Sequence, residues 1–264
     1  MFQQIAVAIR FLTIIPLPGA PVQDDDFNIS ITRSMRWFPL VGLFIGAITV
    51  AVGWLSDWLW NPLVRAVLVV VVSAILTSGL HLDGLSDTFD ATMSWRSRER
   101  MLEIMKDSRI GAMGAMALIA IFLLKVAFLA SAGDAWWRTA LIAPIVARWA
   151  DLYGIAFYPP ARGGGLGKSF HDLVQRRDIV IASVQMMLMT SAIMLVGHNP
   201  ATLWLQLTHA TICIVLVWLI SGWLCRHWVN QLGGLTGDTY GALSEIAETV
   251  AMAALSSQLL MING

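Results

Sequence analysis

Charge is what this 264-residue chain has least of. Asp, Glu, Lys and Arg make up 13% of it, against roughly a quarter in an ordinary soluble domain, while hydrophobic residues reach 57%. That balance excludes a free-standing water-soluble globule and points to a membrane-embedded one. The 17 basic and 17 acidic residues cancel, so no excess positive charge is present to bind nucleic acid. Cysteine is nearly absent. Cys213 and Cys225 lie in or beside an apolar stretch, and their spacing suits neither a zinc site nor a disulfide framework, which leaves them as small buried hydrophobes. Gln3 and Gln4 stand where a secretory signal carries basic residues, and no small-residue cleavage site follows, so no signal peptide is expected.

Long apolar runs are what the chain does have. A span needs roughly 20 apolar residues. Seven stretches come close: 38–59, 62–82, 110–130, 137–158, 179–196, 203–225 and 243–262. The pattern predicts an all-α, polytopic membrane helix bundle of about seven spans, forming one integral membrane domain over residues 1–264. The segment 2–17 is too short to cross and contains Arg10; it reads as an interfacial or re-entrant helix ending at Pro16 and Pro18. Trp54, Trp58, Trp60, Trp136, Trp137, Trp223 and Trp228 cluster at segment ends, as in an aromatic belt.

Basic residues set the orientation. Arg33 and Arg36 precede the first span, and Arg96, Arg98, Arg100, Lys106 and Arg109 follow the second. Arg162, Lys168, Arg176 and Arg177 follow the fourth, and Arg226 follows the sixth. The opposite loops hold little positive charge, chiefly Arg138. The positive-inside rule therefore places the N-terminus and these loops in the cytoplasm and the C-terminus outside. Arg65 and Lys125, near the other ends of their spans, are expected to snorkel outward.

Every charged motif falls on that cytoplasmic side. In His81-Leu-Asp83-Gly84-Leu-Ser-Asp87-Thr-Phe-Asp90, a helix puts Asp83, Asp87 and Asp90 on one stripe. Three like charges without basic partners destabilise a helix unless a cation sits among them, and oxygen-only donors favour Mg²⁺. The plainer alternative is a solvated helix end. His81 is a candidate ligand, acid/base group or substrate contact, or a structural histidine. The segment 98–111 reads as a short amphipathic helix with Met101, Leu102 and Met105 on its apolar face, either a headgroup anchor or a phosphate site. In the second case Lys106 and Arg109 hold phosphate oxygens and Asp107 is a further metal ligand. Gly111 and Gly114 admit a close neighbour. The glycine-rich stretch 159–169 carries Arg162 and Lys168 and can gather backbone N–H groups on an anion, or simply connect two spans; no β-strand leads into it, which excludes a P-loop. Arg148 and Asp151 are spaced to pair with each other. Finally, Asp238 lies in a glycine-rich turn where it or Thr236 can cap a helix, and Glu245 and Glu248 follow on one face, candidates for a second carboxylate cluster against the aspartate stripe. His198 and His209 read as a loop residue and a buried structural one.

Taken in order, six pieces resemble the cobalamin synthase family, the adenosylcobinamide-GDP ribazoletransferases. They are Phe11-Leu-Thr-Ile-Ile-Pro16, Trp37-Phe-Pro39-Leu-Val-Gly42, Gly79-Leu-His81-Leu-Asp83-Gly84-Leu-Ser-Asp87, Met105-Lys-Asp107-Ser-Arg109-Ile-Gly111, Gly163-Gly-Gly-Leu-Gly167 and Thr236-Gly237-Asp238. Asp90 is followed by Ala91 where the family pattern has glycine. The resemblance implies a membrane-integral, Mg²⁺-dependent enzyme of the bacterial inner membrane. Its substrates would be adenosylcobinamide-GDP and α-ribazole or its 5′-phosphate, and its products GMP and adenosylcobalamin or its 5′-phosphate. On that reading Asp83, Asp87 and Asp90 hold the metal. Lys106, Arg109, Arg162 and Lys168 grip phosphate, and His81 or a carboxylate takes the ribazole hydroxyl proton. The acidic stripe is also similar to that of the CDP-alcohol phosphotransferases, whose full D-x-x-D-G-x-x-A-R pattern is absent. A Mg²⁺-dependent intramembrane prenyl- or alcohol phosphotransferase is the nearest alternative, and a transporter the alternative of another class; no internal repeat supports the transporter. The sequence leaves the oligomeric state open, a homo-oligomer included.

Overall fold

The computed structural model describes residues 2–17, 24–164, 166–196 and 203–257. The expectations for Pro18, for His198 and for the end of the seventh stretch lie outside them. Twelve α-helices are described: α1 Phe2–Leu12, α2 Asp24–Ser34, α3 Phe38–Ser56, α4 Pro62–Leu76, α5 Leu80–Thr92, α6 Arg98–Ile104, α7 Ala112–Ser131, α8 Trp136–Phe157, α9 Leu166–Leu173, α10 Arg176–Leu195, α11 Leu203–Leu232 and α12 Gly237–Leu255.

The span count comes out lower than predicted. Among the described residues five helical stretches are long and apolar enough to cross, six if α4 and α5 are taken as one broken span. The stretch 62–82 is not one rod. Asn61 caps α4, its side chain accepting from Leu63 and Val64 N–H at 3.1 Å. The helix stops at Leu76, and Ser78 (φ 52°) and Gly79 (φ 66°) both enter the left-handed region, turning the chain by 90° into α5. With 13 residues, α5 is about 20 Å long, short of the ~30 Å hydrocarbon layer. The seventh expected span becomes α12, a helix largely enclosed by protein: Glu245 and Glu248 are buried along with most of its other residues.

α8 is the hub, buried on almost every face. Against it lies α3, whose Gly42 and Gly46 approach so closely that a Cβ would fall 2.3 Å from the Pro144 carbonyl oxygen and 2.9 Å from that of Ala140. The outward faces of α7, α10 and α11 expose Ile119, Leu123, Val184, Leu188, Trp218 and Leu219. Such apolar surface suits lipid, not water. The aromatic belt is thinner than expected: Trp54, Trp58, Trp60 and Trp223 are exposed, whereas Trp136 and Trp228 are buried. Trp136 instead receives the Arg65 guanidinium, 4.5 Å from its ring, and Arg65 also pairs with Asp57 at 2.7 Å, so Arg65 does not snorkel outward.

Candidate active site

α5 is held between α12 and α7 by four glycines. A Cβ on Gly84 would lie 2.6 Å from the Asp238 carbonyl oxygen, and one on Gly241 would lie 3.1 Å from His81 Cα. On the other side, a Cβ at Gly111 or Gly114 would strike the Asp90 carboxylate at 2.3 or 2.4 Å. Asp90 uses that closeness: it accepts from Gly111 N–H at 2.7 Å and Gly114 N–H at 2.9 Å, capping α7. The third member of the acidic stripe is thus committed to architecture. Asp83 and Asp87 accept no hydrogen bond from any described residue. Asp87 feels the charges of Asp83, Asp238, Asp90 and Asp107.

Two glycine-rich turns close the same end of the bundle. Ala161 N–H donates to the Leu235 carbonyl at 2.8 Å, and Leu235 N–H donates to that of Pro159 at 2.8 Å. Gly234 is required here, since a Cβ would sit 2.4 Å from the Pro160 carbonyl carbon. Arg98, at the start of α6, ties both turns: Nε donates to the Leu232 carbonyl at 2.6 Å and Nη2 to that of Ala161 at 2.8 Å. Thr236, not Asp238, caps α12, its hydroxyl accepting from Thr239 N–H at 3.2 Å. Asp238 is left beside α5, within the field of both Arg162 and Asp83. Arg162 is anchored by donating to the Leu102 carbonyl at 2.9 Å. Met101 and Met105 are buried in the protein core, so the apolar face of α6 packs inward instead of entering lipid.

The remaining predicted site residues go elsewhere. Arg109 grips Asp107 through Nε and Nη2, at 2.9 Å and 2.6 Å. That guanidinium holds the Asp107 carboxyl down at about 2. Both lie on the surface between α6 and α7, so neither is free to bind metal or phosphate without breaking the pair. Lys168 pairs with Asp172. Lys106 is exposed. Of the four expected phosphate-binding residues, the structure brings Arg162 to the carboxylates.

The expected second carboxylate cluster does not form. Glu245 lies 2.5 Å from Lys125 Nζ, and Glu248 lies 3.4 Å from Lys125 and 3.7 Å from Arg148. Arg148 also donates to the Ser244 hydroxyl at 2.8 Å. Lys125 therefore does not snorkel; it points inward, because two buried glutamates compensate its charge better than lipid would. Arg148 pairs with Glu248 instead of Asp151. Asp151 faces His81, whose Nε2 is 3.4 Å away, and both are buried. His81 is turned into the bundle, away from the aspartate stripe. A cavity of about 20 Å³, room for one water, adjoins Lys125, Arg148, Glu245 and Glu248.

Sequence reasoning missed Arg98, which had only its place at a helix start to mark it. Lys125 carried a usable signal, being a lone cation in an otherwise apolar span.

Chemically, the end of the bundle offers Asp83, Asp87 and Asp238 as oxygen donors and Arg162 as an anion ligand. Such donors suit a hard divalent cation. Among the described residues, however, no three Asp, Glu, His or Cys side chains gather closely enough to hold a metal ion. Together, fold and site define a polytopic α-helical membrane protein with a mixed carboxylate and arginine mouth. The family described as "Cobalamin-5-phosphate synthase" matches residues 4–256, and the chain belongs to it. Curated relatives similar to the chain carry the name adenosylcobinamide-GDP ribazoletransferase. That of Roseiflexus sp. (strain RS-1) is 53% identical, covering 97% of this chain and 90% of the relative. That of Herpetosiphon aurantiacus is 45% identical, covering 97% of each. That of Desulforamulus reducens is 39% identical, covering 94% of each. No solved structure matches the chain.

Proposed function

We propose that this chain transfers the adenosylcobinamide-phosphate group of adenosylcobinamide-GDP to α-ribazole or its 5′-phosphate and releases GMP. The observation that carries the reading is the meeting of Asp83 and Asp87 from α5 with Asp238 and Arg162 from two remote turns. Displacement at a diphosphate needs alignment and charge neutralisation more than covalent catalysis. Asp83 and Asp87 are the two carboxylates that would hold Mg²⁺, whose charge would neutralise the diphosphate and the departing nucleotide. Arg162 takes phosphate oxygens, and its bond to the Leu102 carbonyl keeps the guanidinium at the mouth. The ribazole hydroxyl oxygen bonds to the phosphorus bearing the cobinamide ester. The bond from that phosphorus to the bridging oxygen breaks, and GMP leaves with the electron pair. The hydroxyl proton passes to a mouth carboxylate. His81, buried against Asp151, orients α5 instead of meeting substrate. The mouth is built from the Arg98 and Arg162 loops that the positive-inside rule assigns to the cytoplasm, so the site opens to the cytoplasmic face of the inner membrane.

The test is GMP release from adenosylcobinamide-GDP by the purified chain, with and without ribazole and Mg²⁺. Release that needs both supports the reading; release that ignores ribazole overturns it. Asp238→Asn should slow turnover on the order of 10²-fold, about 3 kcal/mol of transition-state stabilisation, and full turnover would remove Asp238 from the site.

A further inference from the structure

A groove of about 580 Å³ runs between α1 and α5 and reaches α7. Phe11, Leu80, Leu82, Ile110 and Leu118 give it apolar walls, and Asp83 and Ser86 stand along it. Its shape is fixed at one end, where Ile14 N–H donates to the Leu76 carbonyl at 2.8 Å and joins the chain just past α1 to the corner between α4 and α5. Phe11 is held by stacking on Phe38, with ring centroids 6.1 Å apart. Ser86 is 2% exposed, and its hydroxyl has no hydrogen-bond partner. Asp83 belongs to two places at once: it lines this groove, and its charge reaches Asp87 and Asp238.

A second groove of about 470 Å³ continues along α7 and shares Ile110 and Leu118. Its other lining residues are Ala115, Ile119, Phe122 and Leu123, all apolar, so it is suited to a lipid chain. The first groove differs in carrying polar and charged groups, with Arg10 and Thr13 lining it beside Asp83 and Ser86. An acyl chain has no use for a carboxylate and an unpartnered hydroxyl. A flat aromatic nucleoside has both an apolar face and hydroxyls. The volume falls within the roughly 300–1,000 Å³ of small-molecule sites. A corrin macrocycle carrying adenosyl and guanosyl groups is far larger than that.

We propose that the groove between α1 and α5 is the acceptor subsite. It takes the two-ring base and ribose of a benzimidazole nucleoside, whose hydroxyl meets Asp83. The inference rests on the ribazole-transfer reading and adds to it a division of the mouth. The nucleoside enters from the α1 side of Asp83. The diphosphate lies on the Asp87, Asp238 and Arg162 side. Asp83 stands where the two substrates meet.

The experiment uses the full chain in lipid nanodiscs, measuring steady-state GMP release with each substrate varied in turn. Leu80→Trp and Ile110→Trp narrow the groove at two exposed lining positions, so neither disturbs the core. Leu219→Trp, at an exposed position on α11, is the control. Both groove variants should raise KM for α-ribazole about tenfold, leave KM for adenosylcobinamide-GDP within twofold, and weaken ribazole binding in calorimetry without the corrinoid about tenfold. The control should change nothing. Unchanged ribazole KM in both variants overturns the proposal. So does a rise in the corrinoid KM alone, which would put that substrate in the groove. So does a fall in kcat with both KM values intact. If the unaltered chain releases no GMP with ribazole present, the transfer reading itself has failed, a result separate from any of these.

Discussion

The chain carries two groups of opposite charges, built from the same residue types and treated in opposite ways. Inside the bundle, Glu245 and Glu248 are matched by Lys125 and Arg148 at 2.5 to 3.7 Å. At the mouth, Asp83 and Asp87 have no such partner among the described residues and crowd one another. Buried charge survives in an apolar interior only when compensated, so the inner group must be nearly self-contained. Water can screen the mouth, so its carboxylates can stay uncompensated until a ligand arrives. On the proposed reading, pairing marks architecture and its absence marks chemistry. The inner group binds α7, α8 and α12 together; the outer group is what those helices hold in place.

The largest effect should come from unbalancing the inner group. Lys125→Met leaves Arg148 alone against two buried glutamates and should destabilise the fold by about 3–5 kcal/mol, measured by thermal unfolding in detergent. Adding Glu245→Gln should recover a substantial part of that loss. If the double variant is no more stable than the single one, the two residues do not act as a pair.

The mouth should behave in the reverse way. Asp87→Asn should lower turnover about 10²–10³-fold, as loss of a strong electrostatic group does, without lowering Tm. Relief of like-charge repulsion along α5 should raise stability by a few tenths of a kcal/mol. A clear drop in Tm would show that Asp87 is structural and would erase the contrast between the two groups.

The smallest effect belongs to an exposed pair that fits neither group. Arg109 holds Asp107 at about 2, below its ordinary 3.8. A depressed carboxyl stabilises the fold above its unfolded value and loses that contribution as pH falls toward 2. Asp107→Asn should therefore lower Tm slightly at pH 5, and the difference from the unaltered chain should begin to shrink below about pH 4 and be small by about pH 2. High salt at pH 5 should shrink it as well. A difference that does not shrink at all between pH 5 and pH 2 would deny the ion pair.

The sequence made one half of this picture easier to read than the other. The α5 stripe was legible because helical spacing alone puts Asp83, Asp87 and Asp90 together. The close approach at Gly111 and Gly114 was legible because small residues in a span ask for a neighbour. What Asp90 does there was not, since its partners are backbone N–H groups 21 and 24 residues away. The break after Leu76 was hidden by hydropathy that continues through Leu80 and Leu82; Gly79 was its one local mark. The inner group was misread for a similar reason. Arg148 and Asp151 share a helix at pairing distance, yet each found a better partner on another helix. Local spacing shows which pairs are open to a residue, and tertiary packing decides among them.

One guanidinium has a consequence for how the protein is made. Arg98 bonds to carbonyls 63 and 134 residues further along the chain. Chains leave the ribosome N-terminus first, so the acidic helix and the basic loops are inserted well before the final turn arrives. Until then Arg98 lacks one of its two anchors, and Asp238 does not yet exist. Until that turn is made, the acidic helix and the basic loops stand in the membrane without the segment that Arg98 ties to them.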